Sequence, residues 1–344
     1  MVKQMTKAKP SHDEEAFPER LVHMYFSFAP AKILSTALQL KIFSHIAAGA
    51  DTAQAVAKAA RTGERGTRMV LDALTALNLL VKRGGKYRLT PTASRYLVRE
   101  SADYFGSMLE HDALWDAWAP LASIVRTGRP YRKVEQQKKA EKFFPALVRS
   151  LHIMNRGPAN SVARLLGAGT THHGLQVLDV ACGSGVWGIA VAEADRTAHI
   201  VAQDFPGVLA TTRQYVRRHK VKTQFDYLPG DLKSVNFGAG RFDVALLGNI
   251  VHSEGERSSR QLFKRLHRAM KPGGRVAIID MIPNDQRSGP PFPIFFALNM
   301  LTNTTEGDTY TMAEYKQWLT AAGFHRVRAA PIGSHSPVII ATRV

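Results

Sequence analysis

The chain has 344 residues, 45% of them apolar, with 46 Lys and Arg against 28 Asp and Glu and a formal net charge of +18. That length suits about two domains with real cores, no apolar run is long enough to cross a membrane, and a lone cysteine, Cys182, excludes an intramolecular disulfide framework. The basic excess is shared, 24 basic against 14 acidic residues in 1–150 and 22 against 14 in 151–344, so it describes a solvated surface rather than a nucleic-acid-binding arm. Adjacent His172 and His173 lack metal-ligand spacing, so no metal is expected.

Residues 1–20 carry mixed charges and no apolar signal core, and read as a flexible tail of a cytoplasmic protein. AKILSTALQLKIFSHIAAG then places Ile33, Ala37, Leu40 and Phe43 on one helical stripe. Asp51 and Thr52 can cap AQAVAKAA, and Glu64 to Leu80 repeats apolar residues at Val70, Leu74 and Leu77. LLVKRGGKYRLT has two strand-like runs about Gly84-Gly85, a hairpin signal. Three helices and a hairpin predict a winged-helix domain over 21–104. Its second helix is too apolar to read base edges, beyond Arg61, Arg65 and Arg68 at its start, which favours protein association over DNA. Residues 105–168 read as a helical connector holding Trp115, Trp118, Phe143, Phe144 and Met154, as core or as the lining of a substrate chamber.

Residues 169–344 carry the chemistry. VLDVACGSGVWG, 177–188, joins an apolar strand, Asp179, a glycine turn and a helix; Gly183, Gly185 and Gly188 let backbone approach a ligand and leave helix N–H groups facing it. That spacing alone also serves dinucleotides. A second strand, HIVAQD, ends in Asp204, where a carboxylate can take both ribose hydroxyls of an adenosine ligand. Asp231 in PGDL follows a third strand, and FDVALLGNIVH reads as a buried parallel strand. The chain closes on HRVRAAPIG and PVIIATRV, joined by 333–336, which predicts a terminal antiparallel hairpin rather than a second nucleotide-binding half.

This order of motifs resembles the class I methyltransferase fold, an α/β Rossmann-like sheet that binds S-adenosyl-L-methionine (SAM). With the winged helix and the connector, nearly all of 21–344 resembles the O-methyltransferases of caffeate and flavonoids, of acetylserotonin and of bacterial pigment and polyketide tailoring. The resemblance implies that the winged helix serves homodimerisation and that the partner helps close the substrate pocket. It assigns the donor to Gly183, Gly185, Asp204 with Phe205, and Asp231 with Leu232. It makes His252 the general base and Asp280, 28 residues further on, the acid that orients it. A lysine that family members often place four residues before that histidine is Gly248 here, with Asn249 as a substitute contact. The second orienting acid of the family aligns with Thr309, and neighbouring Asp308 is taken as its replacement. Trp115, Phe144, Met154, Phe296, Asn299 and Met300 are assigned to the acceptor chamber.

The expected activity is methyl transfer from SAM to a hydroxyl, phenolic in kind, of a small aromatic or polyketide-like molecule. A neutral imidazole suits it, because a phenol has a pKa near 10 and its oxyanion is the reactive form. The altered HSEGE segment after His252 leaves open N- or C-methylation, or a non-methylating SAM-binding protein. A winged-helix DNA-binding regulator stands further off.

Overall fold

The computed structural model describes residues 17–110, 113–134, 137–334 and 336–344, the side chains of 17, 113 and 137–146 excepted. The chain divides into two compact units, one running to Asp112 and the other Ala113–Val344. The division falls inside the segment expected to be the connector, and the helices of 113–165 belong to the second unit.

In the first unit α1 (Phe17–Phe26) begins within the expected tail and is followed by α2 (Phe28–Gln39), α3 (Ile42–Ala47), α4 (Ala53–Ala60) and α5 (Glu64–Ala76). Thr52 caps α4 by accepting the Ala55 N–H at 3.2 Å. An antiparallel pair, β1 (Leu80–Arg83) and β2 (Lys86–Leu89), turns through Gly84 and Gly85, both at positive φ, before α6 (Pro91–Tyr96). Leu38, Phe43, Val56, Leu71, Leu74 and Tyr87 bury into one core, as the apolar stripes require. This is the helical and hairpin arrangement expected of a winged helix.

The second unit opens with α7 (Ala113–Trp118), α8 (Leu121–Thr127) and the long α9 (Gln137–Leu165). Alternation then begins: β3 (Gln176–Val180), α10 (Val186–Ala194), β4 (His199–Asp204), α11 (Pro206–Arg218), β5 (Phe225–Pro229), β6 (Phe242–Gly248), α12 (Glu256–Ala269) and β7 (Met270–Ile279). After α13 (Pro291–Asn303) and α14 (Met312–Ala321) it closes with β8 (Phe324–Ala330) and β9 (Val338–Arg343). Seven strands form one sheet in the order β5-β4-β3-β6-β7-β9-β8, parallel as far as β7. β9 enters antiparallel between β7 and β8, which is the expected hairpin.

The strands read as continuous apolar runs because both faces are covered. Val177, Val244 and Leu246 pack under α9, α10 and α11, whereas Leu178, Ala245 and Leu247 pack under α12 and α14. Edge strand β8 keeps His325, Arg326 and Arg328 on its exposed positions, which blunts edge pairing. Helix α14 starts in a capping box, Thr311 with Glu314. No described helix is long and apolar enough to cross a membrane. All parallel strands point their carboxyl ends to one edge, and the candidate residues lie there.

Candidate active site

The turn after β3 is held by side chains from its neighbour β4. Ala181, Gly183 and Gly185 all take positive φ, at 48°, 56° and 74°. Gln203, buried on β4, accepts the Ala181 N–H at 3.1 Å and donates to the Gly230 carbonyl at 2.8 Å. Thr212 on α11 donates to the Gly183 carbonyl at 2.7 Å. Asp204 accepts from Gly183 N–H at 2.9 Å and from Phe205 N–H at 2.7 Å, one on each carboxylate oxygen. Burial pushes its carboxyl up to about 6, against those two donors, which lower it. Phe205, half-buried, caps α11 directly beside it.

Asp231 lies at the next strand end, exposed, with Oδ1 taking the Lys233 N–H at 2.8 Å, and Leu232 is buried beside it. An exposed carboxylate next to a buried apolar side chain suits a purine, whose edge offers N–H donors and whose face is apolar. A glycine turn, an acid at the next strand end and this pair fit an adenosyl ligand. The residues that would hold SAM are Gly183, Gly185, Asp204, Phe205, Asp231 and Leu232. Bound, SAM supplies a methyl group made electrophilic by its sulfonium.

Asp179 is fully buried on β3. Its Oδ2 accepts the Gly188 N–H at 3.0 Å, whereas Oδ1 has no partner among the described residues. Burial pushes this carboxyl up to about 8. The folded chain therefore keeps a proton that the unfolded chain loses near pH 4. Stability from this group is complete below about pH 4 and is lost as pH rises to about 8. Asp179→Asn lacks that dependence. In urea titrations its stability relative to wild type is expected to improve by roughly 1 kcal/mol per pH unit between about pH 5 and 8. A pH-independent difference would mean that Asp179 is ionised throughout.

His252 and Asp280 come together because β6 and β7 are parallel neighbours. His252 sits in the short turn after β6, and Asp280 directly follows β7. The Asp280 carboxylate is completely buried and accepts four hydrogen bonds. They come from His252 Nδ1 at 2.5 Å, His252 N–H at 2.9 Å, Met281 N–H at 2.8 Å and the Tyr315 hydroxyl at 3.1 Å. A carboxylate so supplied accepts and does not donate, so Nδ1 carries the imidazole proton. Nε2 is then a lone-pair acceptor, with no partner among the described residues. Phe296 meets the imidazole edge to face, ring centroids 5.0 Å apart, and Phe292 follows at 6.0 Å.

Asp308 makes a different contact from the one expected. Its backbone N–H donates to the His252 carbonyl at 2.9 Å, while its carboxylate takes the Thr309 N–H and lies 3.5 Å from Arg287. Arg287 pairs as well with Glu314, which draws the carboxylate towards α14. Asp308 is tied to the His252 turn through backbone, and the side chain that reaches Asp280 is that of Tyr315. Thr309, at the aligned position, is buried on the Pro293 carbonyl.

Gly248 has a steric explanation. A Cβ there would lie 1.9 Å from Trp187 Nε1, so the indole at the start of α10 fills the space a side chain would need. Asn249, the proposed substitute, takes positive φ (59°) and donates its N–H to the Ile279 carbonyl at 2.8 Å.

Of the chamber residues, Phe296, Asn299 and Met300 share α13, which packs on α7, α8 and the His252 turn. Trp118 on α7 donates to Asn299 Oδ1 at 3.2 Å, so that oxygen is already engaged; Met300 is buried and Trp115 half-exposed. Met154 is exposed on α9, the helix that packs on the glycine-turn side. The Phe144 side chain lies outside the described residues. No group of three or more described His, Cys, Asp or Glu could hold a metal ion.

Sequence reasoning missed Gln203, Tyr315 and Trp187. A buried polar side chain on a strand and a tyrosine on an apolar helix face each require a partner, which is a usable if weak signal.

Comparison with known proteins agrees with this fold. Residues 153–325 match an O-methyltransferase domain and residues 22–99 an O-methyltransferase dimerisation domain. The chain is similar to 3-hydroxy-5-methyl-1-naphthoate 3-O-methyltransferase of Streptomyces sahachiroi, 29% identical over 92% of both chains. It is similar to the tetracenomycin polyketide synthesis 8-O-methyl transferase of Streptomyces glaucescens, 28% identical over 96% of this chain and 98% of that one. The structure of human N-acetylserotonin methyltransferase in complex with SAM superposes with a TM-score of 0.82 at 26% identity, covering 97% of this chain and 99% of that one. The chain belongs to the O-methyltransferase family. It is a SAM-dependent methyltransferase of class I fold, preceded by a dimerisation domain.

Proposed function

We propose that the chain methylates a phenolic hydroxyl of a small aromatic or polyketide-like acceptor, with His252 as the base and Asp280 as the residue that orients it. The observation that carries this is the buried contact of Asp280 with His252 Nδ1, which leaves Nε2 as an acceptor beside an aromatic wall. The naphthoate, polyketide and acetylserotonin methyltransferases among the relatives support the acceptor class.

His252 Nε2 takes the hydroxyl proton as the oxygen forms its bond to the methyl carbon. The carbon–sulfur bond breaks, its electron pair stays on sulfur as S-adenosylhomocysteine (SAH), and the imidazolium releases its proton to solvent. Asp280 holds the ring and stabilises the imidazolium, and Tyr315 and backbone N–H groups hold Asp280. Phe296 and Phe292 exclude water and set the acceptor's plane; alignment of oxygen, carbon and sulfur supplies much of the rate. Asp308 fixes the turn from its backbone. A panel of hydroxylated naphthoates and their amino analogues, followed by mass spectrometry, tests the reading. O-methylated products are expected; methylation of the amines alone would move the assignment to nitrogen.

The dimerisation domain acts in a homodimer, in the cytoplasm, where the buried free thiol of Cys182 stays reduced. Helix α1 supports this, because Leu21, Val22, Met24, Tyr25 and Phe26 are all exposed, Tyr25 by 74%. A monomer seldom leaves such an apolar run to water. Tyr25→Glu with Phe26→Glu is expected to shift the mass in light scattering from dimer to monomer at micromolar concentration. An unchanged mass would remove α1 from the interface.

A further inference from the structure

Behind the glycine turn four polar side chains form a line that the mechanism above does not use. Ser184, between Gly183 and Gly185, has its Oγ 3.0 Å from Nδ1 of His152 on α9. His152 Nε2 is 3.2 Å from Nε2 of His219, at the end of α11. His219 Nδ1 is 2.8 Å from Glu193 Oε1 on α10. Ser184 and His152 are buried, and Glu193 is at the surface. Tyr215 of α11 stacks on His152, ring centroids 4.0 Å apart.

The direction of this line follows from its outer end. The Glu193 carboxylate only accepts, so His219 Nδ1 donates to it. Nε2 of a neutral His219 must then accept, which makes His152 Nε2 a donor and His152 Nδ1 an acceptor. Ser184 therefore donates its only proton inward, and its oxygen offers lone pairs alone to a ligand. His152 stays neutral: burial, His219, Arg156 of its own helix and Arg218 of α11 together hold it down to about 3. Around Tyr215, burial raises the phenol against Arg149 and Arg218, so it too stays neutral.

With Asp204 proposed for the ribose and Asp231 for the adenine, the glycine turn between β3 and α10 is left for the donor's amino-acid end. That end carries an ammonium beside the sulfonium, and both favour acceptors over donors.

We propose that Ser184, His152, His219 and Glu193 form a positioning relay, which keeps Ser184 an acceptor for the donor's ammonium and reverses when His219 is protonated. The inference rests on the donor site assigned above. Protonated His219 donates from both nitrogens. His152 must then accept at Nε2 and carry its proton on Nδ1, donating to Ser184, whose hydroxyl proton turns towards the ligand. One proton is added, and none is lost. The donor then meets an O–H where it met a lone pair, with one more positive charge nearby. Affinity is full while His219 is neutral and falls when it is protonated.

The test is calorimetric titration with SAH at about pH 8 and about pH 5.5, which bracket the usual imidazole range. Asp204, pushed up to about 6, adds its own loss at the lower pH in every protein compared. His219→Gln isolates the relay, because its amide can donate to Glu193 and accept from His152 but cannot gain a proton. Its affinity at pH 8 is expected within about twofold of wild type, and its loss at pH 5.5 about threefold or more smaller. Ser184→Ala is the second variant, expected to stay folded with a lower thermal midpoint, because His152 Nδ1 loses its buried donor, and to bind several-fold more weakly at pH 8. Equal pH ratios in wild type and His219→Gln, or Ser184→Ala binding like wild type, would overturn the relay. Absence of SAH binding by wild type at pH 8 would instead remove the donor site itself.

Discussion

His252→Ala is expected to lower kcat by about two to four orders of magnitude, the usual contribution of a positioned general base. SAH affinity should stay within a few-fold of wild type. The imidazole stands on the turn after β6, whereas the residues proposed for the donor stand after β3, β4 and β5, so the variant is expected to remove proton transfer and leave donor binding in place. Asp280→Asn is the sharper companion. Asn can turn its NH2 towards His252 Nδ1, which then accepts, and the imidazole proton moves to Nε2 to face the acceptor. Replacement of four accepted hydrogen bonds at a buried site also costs stability, so thermal midpoints belong beside the rates. Turnover and SAH affinity measured on the same preparations check both, and an Asp280→Asn enzyme as fast as wild type would remove the orienting role.

Asp204→Ala is expected to weaken SAH binding by about a hundredfold or more. A carboxylate that takes two ribose hydroxyls makes two charge-assisted hydrogen bonds, each worth about 1.5–3 kcal/mol, and 1.4 kcal/mol is a tenfold change. The loss also reaches the turn itself, because Gly183 and Phe205 would lose the acceptor of their N–H groups. In the wild type the same carboxyl, pushed up to about 6 by burial, gains a proton below that pH and can no longer accept from both hydroxyls. Calorimetry of wild type and variant is expected to show a large gap at pH 8 that narrows towards pH 5. A variant that binds SAH within a few-fold of wild type would place the ribose elsewhere.

Much of the candidate sheet edge was legible because its parts are local. Asp179, the glycine turn and Asp204 fall at the ends of apolar runs, and parallel strands bring such ends to one sheet edge. The meeting of His252 and Asp280 was legible for the same reason, although they are 28 residues apart, since each follows one of two adjacent strands. Contacts set by helix packing were not. Tyr315 reaches Asp280 only because α14 covers one face of the sheet, and no spacing links position 315 to 280. Gly248 read as a lost lysine, yet the contact that explains it comes from Trp187, which lies 61 positions earlier and joins it only across α10 and β6. Asp308 was taken from alignment with a neighbouring residue; Arg287, which draws its carboxylate away, sits in a loop without a periodic pattern.

Turnover is proposed to depend on His252 as a base, and an acidity series of acceptors measures that role most directly. Rates of wild type and His252→Ala are compared on phenols that run from weakly acidic to already ionised at neutral pH. A removed base is predicted to cost most with the weakest acid and almost nothing with an acceptor that arrives as its oxyanion. The same fractional loss across the whole series would contradict proton abstraction and leave His252 with positioning alone.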